Sequence, residues 1–195
     1  WQGHDLPYSG DPRTQGLMER VFDKFFEAAG GMIFYEKSAQ KPFFEMYRPP
    51  GDRVLGVAHL GDYENIHGPR IDAETARERL GITGRRRVFL YPGTVRYTRN
   101  PTQFIQTFLR GSEPNDLLIV TGRGTHKIAL ERPDDRVLLK PGMVEHAEFR
   151  DLLCAADFIV NDAFQYLGSA IIRVALEYGT PVIASSFGCT SDIAK

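Results

Sequence analysis

Several things this sequence has little of narrow what it can be. Its 195 residues hold two cysteines, Cys154 and Cys189, too few for a disulfide framework and not spaced as a Cys-x-x-Cys pair. They read as buried or incidental thiols. No run approaches the ~18 apolar residues that a membrane span requires. Lys and Arg number 24 against 25 Asp and Glu, a net charge of −1, so a nucleic-acid partner held by bulk electrostatics is not expected. The histidines at 4, 59, 67, 126 and 146 lack metal-ligand spacing and no Asp-x-Asp is present, so no metal site is expected. Without a Gly-x-Ser-x-Gly elbow or a Walker loop, acyl transfer and nucleoside-triphosphate hydrolysis lose their usual signals. The chain begins with Trp1, has no charged segment leading into an apolar one, and stops soon after a turn. A piece of a longer polypeptide is expected, in the cytoplasm or peripheral to the inner membrane face.

What is present is the composition of a globular protein, 42% hydrophobic and 25% charged. From Thr14 to Ala29, apolar residues such as Leu17, Val21, Phe22, Phe25 and Phe26 recur every three or four positions, the period of an amphipathic helix. Its Phe-rich face is expected to be core. A short β-prone run at Met32 to Tyr35 follows, then a helix from Ala39 to Tyr47. The window from Gly51 to Arg70 has four glycines and few helix signals, which marks a hinge. After a helix capped by Asp72 and stopped by Gly81, strands and helices alternate. Arg87–Tyr91, Leu117–Val120, Val137–Leu139, Phe158–Val160 and Pro181–Ala184 are short, almost wholly apolar runs, as expected of strands buried on both faces of a parallel sheet. Between them lie helices with one apolar face each, such as Phe104, Ile105, Phe108 and Leu109. The fold class is therefore α/β, a doubly wound parallel sheet.

In such a sheet a ligand lies beyond the carboxyl ends of the strands. Three loops there carry unusual chemistry. After Tyr91 come Gly93, Arg96 and Arg99: a glycine that lets the chain turn close to a ligand, and two forked donors that can converge on one anion or stand as two solvated surface arginines. After Val160, the chain enters a helix near Gly168 and Ser169, where free N–H groups and the helix dipole favour an anion, or where Ser169 merely caps the helix. Gly122-Arg123-Gly124 follows a strand but lacks the third glycine of a dinucleotide fingerprint.

The order of these motifs resembles that of the group 1 (family 4) glycosyltransferases, over nearly the whole chain. Val88 to Phe108 is similar to the family's strand, Gly-x-Ile-Arg-x-x-Lys loop and helix, with Arg96 at its basic position and Arg99 at its lysine. Leu117 to Gly122 resembles its second strand and glycine turn, Val144 to Val160 its later helix and strand, and Gly179 to Ser185 its Gly-x-Pro-Val segment. Trp1 to Leu6 is similar to a strand end where a histidine lines the cleft, here His4. The resemblance implies a GT-B fold of two facing Rossmann-like domains: residues 1–58 as the rear of the acceptor-side domain, 59–70 as a hinge, and 71–195 as a truncated donor-side domain. It implies transfer of a hexosyl group, without metal or other cofactor, from a nucleoside-diphosphate sugar to a glycan, polysaccharide or lipid-linked acceptor. Gly93, Arg96, Arg99, Met143, Val144, Gly168 and Ser169 would bind the donor and His4 would orient its sugar. Two acidic residues that many members carry eight apart correspond here to Tyr166 and Val174, and Leu167-Gly168-Ser169 resembles the Ser-Gly-Ser-like turn of other branches. That departure keeps two alternatives open: a catalytically silent relative that binds a nucleotide or a partner, and a sugar-nucleotide epimerase on the same scaffold.

Overall fold

A strand whose consecutive residues are all apolar can pack on both faces at once, and the central runs of the second half do so, while the two edge runs leave Leu138 and Ile183 exposed. The structure is a computed structural model that describes residues 12–46, 54–58, 61–84, 87–95, 99–130, 132–163 and 169–186. Contacts divide the described chain into two units, one of residues 12–58 with 169–170 and 186, the other of residues 61–163 and 171–185.

In the first unit, α1 (Pro12–Ala28) leads into β1 (Gly31–Phe34), a 3-10 turn (Lys37–Ala39) and α2 (Gln40–Met46), and β1 pairs in parallel with β2 (Val54–Val57). The aromatic face expected to be core is so only in part. Phe26, Phe34 and Phe43 meet edge to face, with Phe26 to Phe43 at 5.2 Å and Phe34 to Phe43 at 5.3 Å, closing around Met32 and Ala39. Leu17, Val21 and Phe25, one helical turn apart on α1, remain exposed, as do Ile33, Leu55 and Val57.

The second unit opens with α3 (Glu64–His67) and α4 (Ala73–Arg79), the latter capped as expected by Asp72, which accepts the Thr75 N–H at 2.8 Å. Residues 61–70, inside the window read as a hinge, pack on this unit: the Tyr178 hydroxyl donates to the Gly68 carbonyl and the Glu64 N–H donates to Glu177. Five parallel strands follow: β3 (Val88–Pro92), β4 (Leu117–Gly122), β5 (Val137–Pro141), β6 (Phe158–Asn161) and β7 (Val182–Ala184), in the order β5-β4-β3-β6-β7. The helices are α5 (Pro101–Gly111), α6 (His146–Ala155) and α7 (Ala170–Glu177).

Side chains two residues apart share a sheet face, and the core sorts accordingly. Val88, Leu90, Leu117, Ile119 and Ile159 point to the face carrying α4, α6 and α7, where they meet Ala76, Leu152, Leu153, Val174 and Tyr178. Tyr91, Leu118, Val120 and Val160 point to the other face, where Ile105 and Phe108 of α5 cover them. Burying each such Leu or Ile side chain is worth ~1.5–3 kcal/mol relative to exposure. Helices on both faces of a parallel sheet make the unit doubly wound and Rossmann-like.

Candidate functional site

The sheet order reverses between β3 and β6, because β4 and β5 lie on one side of β3 and β6 and β7 on the other. Strands part at such a point. β3 pairs with β4 over five residue pairs but with β6 over two, Phe89 with Phe158 and Leu90 with Ile159. Beyond them the carbonyls of Pro92 and Val160 have no strand partner in the gap, and Arg99 fills it. One guanidinium nitrogen donates to Pro92 O at 2.5 Å and the other to Val160 O at 3.4 Å. The same guanidinium lies 4.4 Å above the Tyr91 ring, and its Nε stands 3.6 Å from Asp162. Asp162 in turn accepts the Tyr91 hydroxyl proton, and burial, first of all, pushes the Tyr91 pKa up. Arg99 is 9% exposed, so its side chain is an interior brace of the loop in which the arginine spacing had suggested an anion clamp.

On the β4 and β5 side of β3, three glycine turns meet. Gly93, Gly122 and Gly142 all have positive φ, at 117°, 131° and 94°, a region that L side chains avoid. Gly93 N–H donates to Thr121 O and Val95 N–H to Arg123 O, both at 2.8 Å, and Gly142 N–H reaches Gly122 O at 3.3 Å. A Cβ on Gly122 would overlap the Gly93 carbonyl, so glycine is what allows the first two turns to pass. The turns form one wall of a cavity of about 390 Å³, which Met143, Val144, His146, Phe149 and His67 close on the other.

Two groups in that cavity wall were not singled out by the sequence. Thr121, at the end of β4, is 2% exposed and its hydroxyl has no hydrogen-bond partner. His67 and His146 meet with their Nδ1 atoms 3.0 Å apart, Tyr63 stacked on His67 and the edge of Phe149 against it. Burial, and then the neighbouring His146, hold the His67 pKa below its usual value. The histidines are 79 residues apart in sequence, so no spacing rule could pair them. Arg123, dismissed with an incomplete fingerprint, also lines the cavity, its guanidinium 3.3 Å from the Met143 sulfur.

Of the residues assigned to donor binding, Gly93, Met143 and Val144 are thus brought to one cavity. Arg99 is beneath the loop rather than on its surface, and Ser169 is half-buried immediately before α7. His4, Arg96 and Gly168 lie outside the described residues. Among the described residues no group of three or more potential ligands could hold a metal ion. No helix among them is long and apolar enough to cross a membrane.

No family model matches the chain, and neither does any curated protein. Solved structures do match. The chain is similar to HepE from Anabaena in complex with UDP-glucose, with a TM-score of 0.72 at 17% identity over 98% of this chain and 54% of that one. Sucrose-phosphate synthase from Thermosynechococcus elongatus gives a TM-score of 0.69 at 17% identity, covering 94% and 47%. WaaG, a glycosyltransferase involved in lipopolysaccharide biosynthesis, gives 0.69 at 20% identity, covering 93% and 51%. The fold these define is the Rossmann-like α/β architecture of GT-B glycosyltransferases. The chain spans about half the length of the solved structures it matches.

Proposed function

We propose that the protein is a metal-independent glycosyltransferase, or the donor-side part of one, which takes a hexosyl group from a nucleoside diphosphate. One observation carries the reading. The cavity lies at the carboxyl ends of β3, β4 and β5, is shaped by three glycine turns, and brings together Gly93, Met143 and Val144, three of the residues that the family resemblance assigns to the donor. That end of an open parallel sheet is where ligands bind. As the bond from sugar to diphosphate breaks, negative charge grows on the leaving phosphate, and fixed donors facing it supply the stabilisation. Arg123 in the cavity wall and Arg96 in the β3 loop are the cations for that task, the buried Thr121 hydroxyl is a fixed polar group beside it, and His4 orients the sugar. The acceptor in this reading is a glycan, polysaccharide or lipid-linked sugar, met in the cytoplasm or at the inner membrane face.

Arg99 favours a second reading, a relative that binds nucleotide without transferring sugar, because its donors are turned to main-chain carbonyls and leave the loop one cation fewer. The two readings part in one experiment. The protein is titrated calorimetrically with UDP-glucose, GDP-mannose and ADP-glucose, with and without a chelator, and sugar release is followed in parallel. Chelator-insensitive binding with slow hydrolysis of the same donor is the expected result. Binding without turnover by the full-length polypeptide establishes the silent relative, and no binding by any member overturns the donor-site reading.

A further inference from the structure

We propose that His67 and His146 form a proton-sharing pair that couples occupation of the cavity by an anionic nucleotide to pH; this rests on reading the cavity as the donor site. Two imidazoles whose Nδ1 atoms are 3.0 Å apart must place one proton between them, since two bare nitrogens would repel and two N–H groups would clash. Neither ring has another hydrogen-bond partner among the described residues, so the pair has no carboxylate to hold a second proton. Adding a proton to the neutral pair turns the neutral bond into a charge-assisted one and makes the pair a cation in the cavity wall. The added proton then belongs to the pair rather than to either ring.

The charged neighbours fix the sign. On the α3 side are Glu64, whose carboxylate faces the Arg70 N–H, and Glu177 of α7, which accepts the Glu64 N–H. From α6, Arg150 donates to Asp151 at 2.7 and 2.8 Å, and Glu145 flanks the cavity with Arg123 opposite. Tyr178, hydrogen-bonded to Gly68, remains neutral because burial raises its pKa to about 12. Burial of His67 and its proximity to His146 oppose the proton, against the weaker pull of Glu177. A diphosphate reverses that balance. A cavity of 390 Å³ is on the order of 9 Å across, about one Debye length at 0.1 M salt, so a bound anion is incompletely screened from the pair. At such separations a negative charge favours the protonated pair, and by reciprocity the nucleotide binds about tenfold tighter on the acid side of the transition than on the alkaline side.

The probe is a sugar nucleotide, because its diphosphate, unlike a terminal phosphate with a pKa near 6, has no group titrating between pH 5.5 and 8. The tightest binder among UDP-glucose, GDP-mannose and ADP-glucose is titrated calorimetrically across that range in buffers of different ionisation enthalpy. Expected are about tenfold tighter binding at pH 5.5 than at pH 8 and net proton uptake near the midpoint. His67→Gln and His146→Gln should each flatten both responses, the pH dependence and the proton uptake. The proton count on the unaltered protein stands even if a variant misfolds. Binding without proton uptake, or a pH response that survives in both folded variants, overturns the proposal while leaving the donor site intact. Failure of every sugar nucleotide to bind overturns both.

Discussion

Arg99 shows how a single side chain can be decided by what it would leave behind. Removing it would strand the carbonyls of Pro92 and Val160 in a gap where the sheet cannot pair them, and would leave Asp162 beside Tyr91 without a cation. An unpaired buried polar group costs ~1–3 kcal/mol, and loss of one partner of a buried charge pair more. Arg99→Ala should therefore lower stability by about 3 kcal/mol, read as a shift in the urea midpoint. Arg99→Lys should recover less than half of that, because an ammonium is a point charge and cannot reach both carbonyls as a fork does. Sugar-nucleotide affinity of the folded Arg99→Ala protein should change by less than about threefold. If Arg99 instead gripped the diphosphate, affinity would fall ten- to a hundredfold with stability untouched. The sequence could not separate these outcomes. Three-residue spacing in a loop says that two arginines can converge, and only the parting of β3 from β6 shows that one of them turns inward. The histidine pair was hidden for a related reason, since its members come from α3 and α6 and meet only through the packing of residues 61–70 on α6.

Among the secondary elements, the legible ones were those whose pattern has one physical cause. β3, β4 and β6 are runs of apolar residues because helices cover both of their faces, the edge strands β5 and β7 leave Leu138 and Ile183 exposed, and all five appear within about two residues of the runs read from the sequence. The Asp72 cap follows from satisfying a first-turn N–H group, and it is present. α3 was not legible: four residues around Asn65 and Ile66 have too short a period to register, and the turn holds through contacts to Glu177 and Tyr178 far along the chain. The glycines of the β3 and β4 turns belong between these cases. A glycine after a strand is an ordinary turn signal, but the reason for Gly122 is the neighbouring turn that it passes. Gly122→Ala should therefore be severely destabilising, by about 3 kcal/mol or more, since positive φ and a clash with Gly93 O act together. Gly111→Ala, at the last residue of α5 with open space around its Cα, should be neutral or stabilising by about 0.5–1 kcal/mol. Thermal melts of the two variants check the contrast. Similar melting temperatures for both would mean that the turns have room to separate and that the cavity wall is not rigid.

At the scale of the whole molecule the described residues of the two units bury apolar surface very unequally, and that difference has an observable consequence. The second unit buries two apolar clusters on opposite faces of a five-stranded sheet, with Leu90, Leu118, Leu153 and Ile159 fully inaccessible. Among the described residues the first has a two-stranded sheet, a small cluster around Phe26, Phe34 and Phe43, and exposed apolar residues on both α1 and β2. Two strands with two covering helices are near the lower limit of independent stability, because too little apolar surface leaves water to offset the chain entropy. Local opening should follow this division. In native-state hydrogen exchange the amides of β3 and β4 should be the slowest and exchange by global unfolding, whereas those of β1 and β2 should exchange at least a hundredfold faster, a gap of about 2.7 kcal/mol in opening free energy. A bound sugar nucleotide should slow the amides around Gly93, Gly122 and Gly142, which line the cavity in the second unit. If β1 and β2 were as protected as β3, the first unit would have a stabilising partner outside its own cluster, and the unequal burial would have to be reconsidered. Protection by nucleotide confined to the first unit would instead place the ligand away from the three glycine turns.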